Sequence, residues 1–490
     1  MRPSTVRSFA PFLGSVLTLC ALGAGCDDAA PATPDSGAPL DVTGQPDAMA
    51  TPDVAVTPDV APDVPLDAAA PATPTVVPLS MAGHDRFFGV TYDAMGAFYA
   101  VGVMADGVAA TDDFRTVVVK FNADGTRATG FGANGVASHN LAVGTNGEVA
   151  RGVVVQPSGK GVALATVDHL GPAMETRDRD LALVRFNADG TRDLSFGTMG
   201  VVTLDLSTGE AVGTGFVADS AWGLTAYSDG RLLLTGSQKR TGGTDSDFVV
   251  ARLTADGARD ATFGAMGVFT LDINNRSASP RGVSLLEDGS IVAAGYMDDG
   301  GVVKPVLFKL SATGVLVPGF GTMGIFAPTV LTTATEAYGV VAQGTSFVTV
   351  GYGRSTSMES LDWLSLRVTA AGMLDTTWGT QGVARLDLAM FNDNARAIVG
   401  LPNNRVMLVG GGRPTEMNVD AMIAVLDANG RPDTTFGPRG LRTWDLGGAS
   451  DMFWGAAVSP TRTHVAVVGV RAVAAGMGND DAAVYLLPVP

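Results

Sequence analysis

A segment of about 58 residues recurs six times from residue 121 onward, and each copy passes through an aromatic-Gly-x-x-Gly turn. The turns are Phe131-Gly132…Gly135, Phe196-Gly197…Gly200, Phe263-Gly264…Gly267, Phe320-Gly321…Gly324, Trp378-Gly379…Gly382 and Phe436-Gly437…Gly440. Their aromatics stand 65, 67, 57, 58 and 58 residues apart. Self-similarity at such a period marks a repeat architecture, in which a single copy cannot bury its apolar face alone.

One copy shows what the unit is. Ala221–Tyr227 reads as a strand, ended by Ser228-Asp229-Gly230, and Arg231–Gly236 reads as its hairpin partner. A variable stretch, Ser237–Ser246, leads to Asp247–Leu253, and the Phe263-Gly264 segment leads to Gly267–Ile273. These four strands, A to D, are short, rich in β-branched residues and bounded by Gly or Asp. No window carries a sustained 3.6-residue period, so the class is all-β.

The phase closes on itself. Strand A starts near Phe87, Arg151, Ala221, Arg281, Tyr338, Ala395 and Phe453, which makes seven, against six aromatic turns. The last unit has A (Trp454–Val458), B (His464–Val470) and C (Ala482–Leu487) and then the chain stops, without D. Residues 75–80, Thr-Val-Val-Pro-Leu-Ser, align with strand D segments such as Gly382–Asp387. An N-terminal strand that completes the last unit closes a ring without a raw sheet edge, and Pro78 suits an outer edge strand. The expectation is a seven-bladed β-propeller of four-stranded blades over residues 73–490, with an open β-solenoid as the alternative that needs no split unit.

The run Phe186-Asn187-Ala188-Asp189-Gly190-Thr191-Arg192-Asp193-Leu194-Ser195-Phe196-Gly197 resembles the delta-sixty repeat, a propeller-type repeat of bacterial envelope proteins. The likeness covers roughly residues 75–490, although Ala128 and Val317 replace the Asp three before the aromatic in copies one and four. It implies a fold and an envelope location; the family shares no established activity.

The N-terminus reads as an address. Arg2 and Arg7 precede an apolar run from Phe9 to Leu22, followed by Gly23-Ala24-Gly25 and Cys26, the layout of a signal peptide over residues 1–25. A run of about 14 residues is too short to span a bilayer. Small residues ending at a cysteine resemble the lipobox of bacterial lipoproteins, with Gly23 in place of the usual leucine. That resemblance makes Cys26 a diacylated anchor, and the expected location is the bacterial envelope, at the outer membrane or cell surface. Residues 26–72 are rich in Asp, Pro and Ala, and no Lys or Arg occurs from residue 8 to residue 85. Unbalanced aspartates and frequent prolines favour an extended, disordered tether.

The formal net charge is -17, and loss of Arg2 and Arg7 with residues 1–25 would leave 30 basic against 49 acidic residues, or -19. Such a surface repels phosphate, which argues against nucleic acid as a partner. The two cysteines, Cys20 and Cys26, leave the folded body without a disulfide framework or thiolate metal site.

The turn aromatics read as plugs between neighbouring units, and Asp193, Asp260, Asp375 and Asp433 as caps of their own turns. Asp180, Asp247, Asp362, Asp420 and Asp481 form a second acidic set at the start of strand C, one per unit and therefore expected to lie far apart as strand caps. The four histidines show no metal-ligand spacing, and neither a G-x-S-x-G elbow nor a phosphate-binding loop occurs. No cofactor, metal or catalytic residue is therefore expected. Variable B–C and D–A connections share one face of a propeller, and variable loops on a rigid scaffold carry recognition. Arg177, Arg179, Lys239, Arg240, Tyr296, Tyr352, Arg354 and Arg413 are the expected binding residues there. The expectation is a monomeric, non-enzymatic scaffold for a protein or glycan. A lyase or hydrolase of envelope polysaccharide is the alternative, because propeller sites assemble from distant strands.

Overall fold

The computed structural model describes residues 73–490 apart from 81–82, 106–112, 142–146, 170–177, 208–216, 240–244, 389–390, 416–417 and 474–479. The signal peptide, Cys26 and the tether lie outside the described residues, as do Arg177 and Arg240.

Four strands per repeat emerge as the period requires. In the unit read above, A is Ser220–Ala226, B is Leu232–Gln238, C is Asp247–Leu253 and D is Val268–Leu271, hydrogen-bonded in that order. All three pairings are antiparallel. Strands B and C hold fully buried residues on both faces, whereas A and D are half-buried. Two faces are covered because each sheet packs between neighbours, so its middle strands lose the polar alternation of a one-sided sheet. Two 3-10 turns, Pro402–Asn404 and Pro438–Gly440, are the helical pieces among the described residues.

The termini share one sheet. Strands Ser450–Val458, His464–Ala472 and Asp481–Pro488 are completed by Thr75–Val77. That strand runs antiparallel to the third, with Thr75 opposite Val484, Val76 opposite Ala483 and Val77 opposite Ala482. It is shorter than the expected 75–80: Pro78 lies just beyond it, and its carbonyl accepts from Arg127 Nη2 at 3.0 Å. Val77 is buried with Phe87, Phe98, Val468 and Val484, joining the first sheet to the last.

Each A strand also packs on the next, and Ser450–Val458 packs on Asp85–Tyr92. Glycines set that closeness. A Cβ on Gly89 would lie 2.4 Å from the Arg151 carbonyl oxygen of the next A strand, and one on Gly455 would lie 2.9 Å from that of Phe88. Adjacent A strands therefore meet backbone to backbone, which only residues without a side chain permit.

The aromatic turns are the plugs expected. Phe131, Phe196, Phe263, Phe320, Trp378 and Phe436 are all buried. Trp378, for example, packs with Leu408, Met422 and Ala424 of the following unit, and Phe263 with Ile291, Ala293 and Phe308 of the unit that follows it. The first turn glycine has φ between 51° and 56° in five copies. The sixth departs: Gly437 is extended, with φ 175°, because Pro438 follows it and disfavours helical backbone at the preceding residue. Each capping aspartate binds its turn, as in Thr262 N–H donating to Asp260 Oδ1 at 3.0 Å, and also accepts from an arginine. Arg185, Arg252 and Arg367 donate Nε to Asp193, Asp260 and Asp375 at 2.6–2.8 Å. Their Nη1 atoms reach carbonyls of the next unit at Ala255, Ala312 and Ala428. The motif is thus a clamp between units as well as a turn.

Candidate functional site at the axial collar

Every A strand breaks its ladder register at the same place, between Phe87 and Gly89, Ala150 and Gly152, Ala221 and Leu224, Pro280 and Gly282, Ala337 and Gly339, Ala395 and Ala397, and Phe453 and Gly455. A β-bulge re-aims the extra side chain out of the sheet. The residues so placed are Phe88, Arg151, Trp222, Arg281, Tyr338, Arg396 and Trp454, and they touch one another in sequence. The Arg151 guanidinium lies 5.3 Å from the Phe88 ring centroid and 4.1 Å from that of Trp222. Arg281 sits 3.6 Å from Trp222 and 4.8 Å from Tyr338. Arg396 sits 4.8 Å from Tyr338 and 4.6 Å from Trp454. Trp454 then meets Phe88 edge-on at 5.2 Å, which closes a collar of three arginines and four aromatics.

A guanidinium between two aromatic faces gains roughly 0.5–2 kcal/mol per contact, more where water is excluded. The collar is uneven. Arg281, Tyr338 and Arg396 are buried, behind a second layer of tyrosines. Arg281 Nη2 donates to Tyr296 Oη at 2.7 Å, and the Tyr338 and Tyr352 hydroxyls lie 2.9 Å apart. Phe88, Arg151, Trp222 and Trp454 are only half-buried.

Three residues before six of the seven collar positions stands a buried anchor for the preceding D–A connection, the exception being Ala278 before Arg281. Asp85 accepts from the N–H groups of Leu79 and Ser80 at 2.7 and 2.8 Å, and Asp219 from Leu206 and Ser207 at 2.7 and 3.2 Å. Asp393 accepts from Leu388 at 3.0 Å and Asp451 from Leu446 at 2.6 Å. Glu148 and Thr335 serve Leu141 and Leu331 alike. Three strand residues span about 10 Å, so the collar lies that far in from the loop face.

Burial pushes the Asp393 carboxyl up to about 8, and Asp362 and Asp387 add repulsion that the N–H donors of Arg413 and Leu388 do not cancel. Asp85 and Asp451 are raised to about 6, again chiefly by burial. A carboxyl whose folded pKa is raised contributes stability that is complete below its unfolded value, near 3.8, and lost as pH rises through the folded one. Asp260, held near 2, and Asp375 and Asp433, also lowered, contribute stability above that value and lose it only in stronger acid. The expected result is a urea midpoint higher at pH 5 than at pH 8.5. Asp393→Asn should remove much of that difference.

The sequence-derived binding residues fare unevenly. Arg179 lies in strand C, Asp178–Phe186, with Nε donating to Asp168 Oδ1 at 2.7 Å. Lys239 sits just past strand B and is half-buried, and Arg413 donates its backbone N–H to Asp393 at 2.8 Å. Tyr296, Tyr352 and Arg354 are strand B residues, in Ile291–Asp298 and Ser346–Arg354, so the expected B–C loops begin too early there. Tyr352 is 5% exposed, which removes it from the loop surface. Of the acidic set, Asp180, Asp247 and Asp362 fall in three separate groups, each beside other carboxylates: Asp180 meets Asp205 and Asp219, and Asp247 meets Asp245 and Asp272, with carboxylate oxygens within 4.8 Å in each group. Asp362 meets Asp387 and Asp393, and there Arg385 Nε supplies the counter-charge at 2.5 Å from Asp362. The groups form where the start of strand C meets the residue just past strand D, joined by the residue before the next strand A in two of them and by Asp245 ahead of strand C in the third.

Sequence reading missed the collar, although one signal was present. An aromatic or arginine precedes glycine at the same strand A position in six copies, from Phe88-Gly89 to Trp454-Gly455, with Arg396-Ala397 the exception.

A family model described as "Domain of unknown function (DUF5122) beta-propeller" matches residues 178–196 and 228–263, which hold strand C, hairpins and aromatic turns of two successive repeats. The fold is a β-propeller. Among solved structures, the propeller chain is similar to Sqt1 from Chaetomium thermophilum bound to the N-terminus of ribosomal protein L10, at 10% identity and TM-score 0.40, over 84% of this chain and 100% of that one. It is similar to an α-L-arabinofuranosidase from Fusarium graminearum, at 10% identity and TM-score 0.43, over 84% and 97%. It is also similar to the β-propeller domain of the Trilobed protease from Pyrococcus furiosus, at 8% identity and TM-score 0.40, over 82% and 96%. No curated protein sequence matches the chain.

Proposed function

We propose that the chain is a lipid-anchored protein of the bacterial cell envelope. Its propeller is a closed ring of seven blades of the delta-sixty type, held off the membrane by the acidic tether. It acts as a monomeric scaffold that binds a protein or glycan through the B–C/D–A loop face. The observation that carries this reading is the buried anchor of strand A. By tying D–A connections to the core, it makes one face of the ring a fixed frame, and the B–C connections on that frame differ in length and sequence from unit to unit. Fixed frames with variable loops are built for recognition.

Arg177, Arg179, Lys239, Arg240, Arg354 and Arg413 remain the contact residues of the proposal; Tyr296 and Tyr352 pass to the layer behind the collar. Cross-linking at the cell surface followed by alanine substitution of these cations tests the reading. Loss of the cross-linked partner with an unchanged melting profile is expected, and unchanged capture by all six variants contradicts it. For the anchor, Cys26→Ala should shift the protein from the membrane to the soluble fraction. Retention on membranes refutes lipidation at Cys26.

A further inference from the structure

We infer that the exposed methionines of the ring are an oxidant sink, in which Met95, Met199, Met266, Met323, Met358 and Met373 consume a hypohalous acid by becoming methionine sulfoxide and so spare the blades behind them. This goes beyond the scaffold reading and does not depend on what the loop face binds.

Residue type carries the inference. Methionine ranks with leucine, isoleucine, valine and phenylalanine among the side chains most often buried. Among the described residues eight large apolar side chains are exposed, and six of them are methionine, from 62% at Met373 to 94% at Met358. Of the eleven methionines described, only Met297, Met407, Met422 and Met452 are buried, with Met104 half-buried. The exposed set otherwise holds one leucine and one valine, and no isoleucine or aromatic. A face built for apolar contact with a partner or a bilayer would draw on those residues too, aromatics above all. What sets methionine apart from them is its sulfur.

Backbone geometry is the second observation. Met199, Met266 and Met323 occupy the same place in three successive aromatic turns, at φ 52–54°. That left-handed region favours glycine and asparagine, and the first copy has Asn134 there. Methionine gains no packing in exchange, since these three side chains are 64%, 71% and 80% exposed. The turn instead holds each thioether out in water, within reach of a small oxidant.

The chemistry needs no cofactor. A sulfur lone pair attacks the chlorine of hypochlorous acid and displaces hydroxide. Water then adds to the chlorosulfonium, chloride leaves, and two protons are released, one of them to the hydroxide. The thioether thereby loses two electrons to chlorine and gains one oxygen. In a core the sulfoxide would set a polar group among apolar neighbours and disrupt packing, whereas at an exposed position water solvates it.

The test titrates the purified full-length protein with sodium hypochlorite at neutral pH and maps each methionine by peptide mass spectrometry. The six exposed methionines should gain oxygen at the first additions, and the four buried ones about 10-fold more slowly. The melting temperature, read by circular dichroism, should hold within a few degrees until the six are consumed and fall after that. Methionine sulfoxide reductases A and B with dithiothreitol should restore all six. Replacing them together (Met95→Leu, Met199→Leu, Met266→Leu, Met323→Leu, Met358→Leu and Met373→Leu) keeps the apolar surface and removes only sulfur. The same dose should then oxidise the buried methionines of that variant and lower its melting temperature. Equal oxidation of exposed and buried methionines, or equal resistance of the wild type and the sixfold variant, overturns the sink. Should that variant fail to fold, the wild-type titration decides alone: a melting temperature that drops from the first addition contradicts the proposal.

Discussion

Trp378→Ala is expected to cost about 3–5 kcal/mol, the range for truncating a fully buried aromatic. The indole is 0% exposed, its Nε1 donates to the Ser365 carbonyl at 3.2 Å, and the Arg367 guanidinium stacks 4.9 Å from it. Alanine would open a void between two blades, leave a buried carbonyl without its donor, and remove one face of an arginine whose other bonds clamp the next blade. Leu194→Ala, two residues before the turn aromatic of another blade and 58% exposed, makes a fair control with an expected change under about 0.5 kcal/mol. Urea midpoints of the two variants check the contrast. Similar midpoints would mean that the turn aromatics are not inter-blade plugs.

The second large effect falls on a residue with no side chain. Gly89→Ala is expected to destabilise by about 3 kcal/mol, the upper part of the usual overpacking range, because the new Cβ would meet backbone that cannot rotate away. The obstacles are the carbonyl oxygen of Arg151 at 2.4 Å and its carbon at 3.2 Å. Gly282→Ala meets Gly339 Cα at 2.9 Å and should behave alike. Gly400 has nothing within 4 Å of a built Cβ, so Gly400→Ala should be neutral or slightly stabilising through the unfolded chain. Equal melting curves for Gly89→Ala and Gly400→Ala would show that the A strands are not packed backbone to backbone.

Which parts were legible follows from how each feature is written in the chain. The aromatic turns were readable because one residue type recurs at one spacing and does one job, and a plug such as Phe196 needs only its local turn to be placed. The shared sheet was readable because a missing strand D at one end and a spare strand at the other are a local count. The collar was not, for two reasons. Its members alternate between arginine and aromatic, so Arg151 and Trp222 do not look like copies of one position. The bulge that turns them toward the axis is a property of ladder register, which strand A alone does not display. Tyr352 was misplaced because Gly351, Gly353 and Arg354 around it read as loop, whereas glycine there accommodates the bulge of the paired strand A: a Cβ on Gly351 would lie 1.8 Å from the Glu336 carbonyl oxygen. The acidic groups escaped because Asp180 lies in a strand C, Asp205 just past a strand D and Asp219 just before the next strand A, and proximity across a seam has no signature in any one of them.

Ring closure by the two termini is tested most directly by a disulfide between Val76→Cys and Ala483→Cys in a Cys26→Ala background. The two positions are Cα partners in the antiparallel pair, at a separation that a disulfide spans. Mild oxidation should give a monomeric cross-linked species that migrates faster on a non-reducing gel and resists urea better than its reduced form. Free thiols after oxidation, or disulfides found only between separate molecules, would contradict the closed ring.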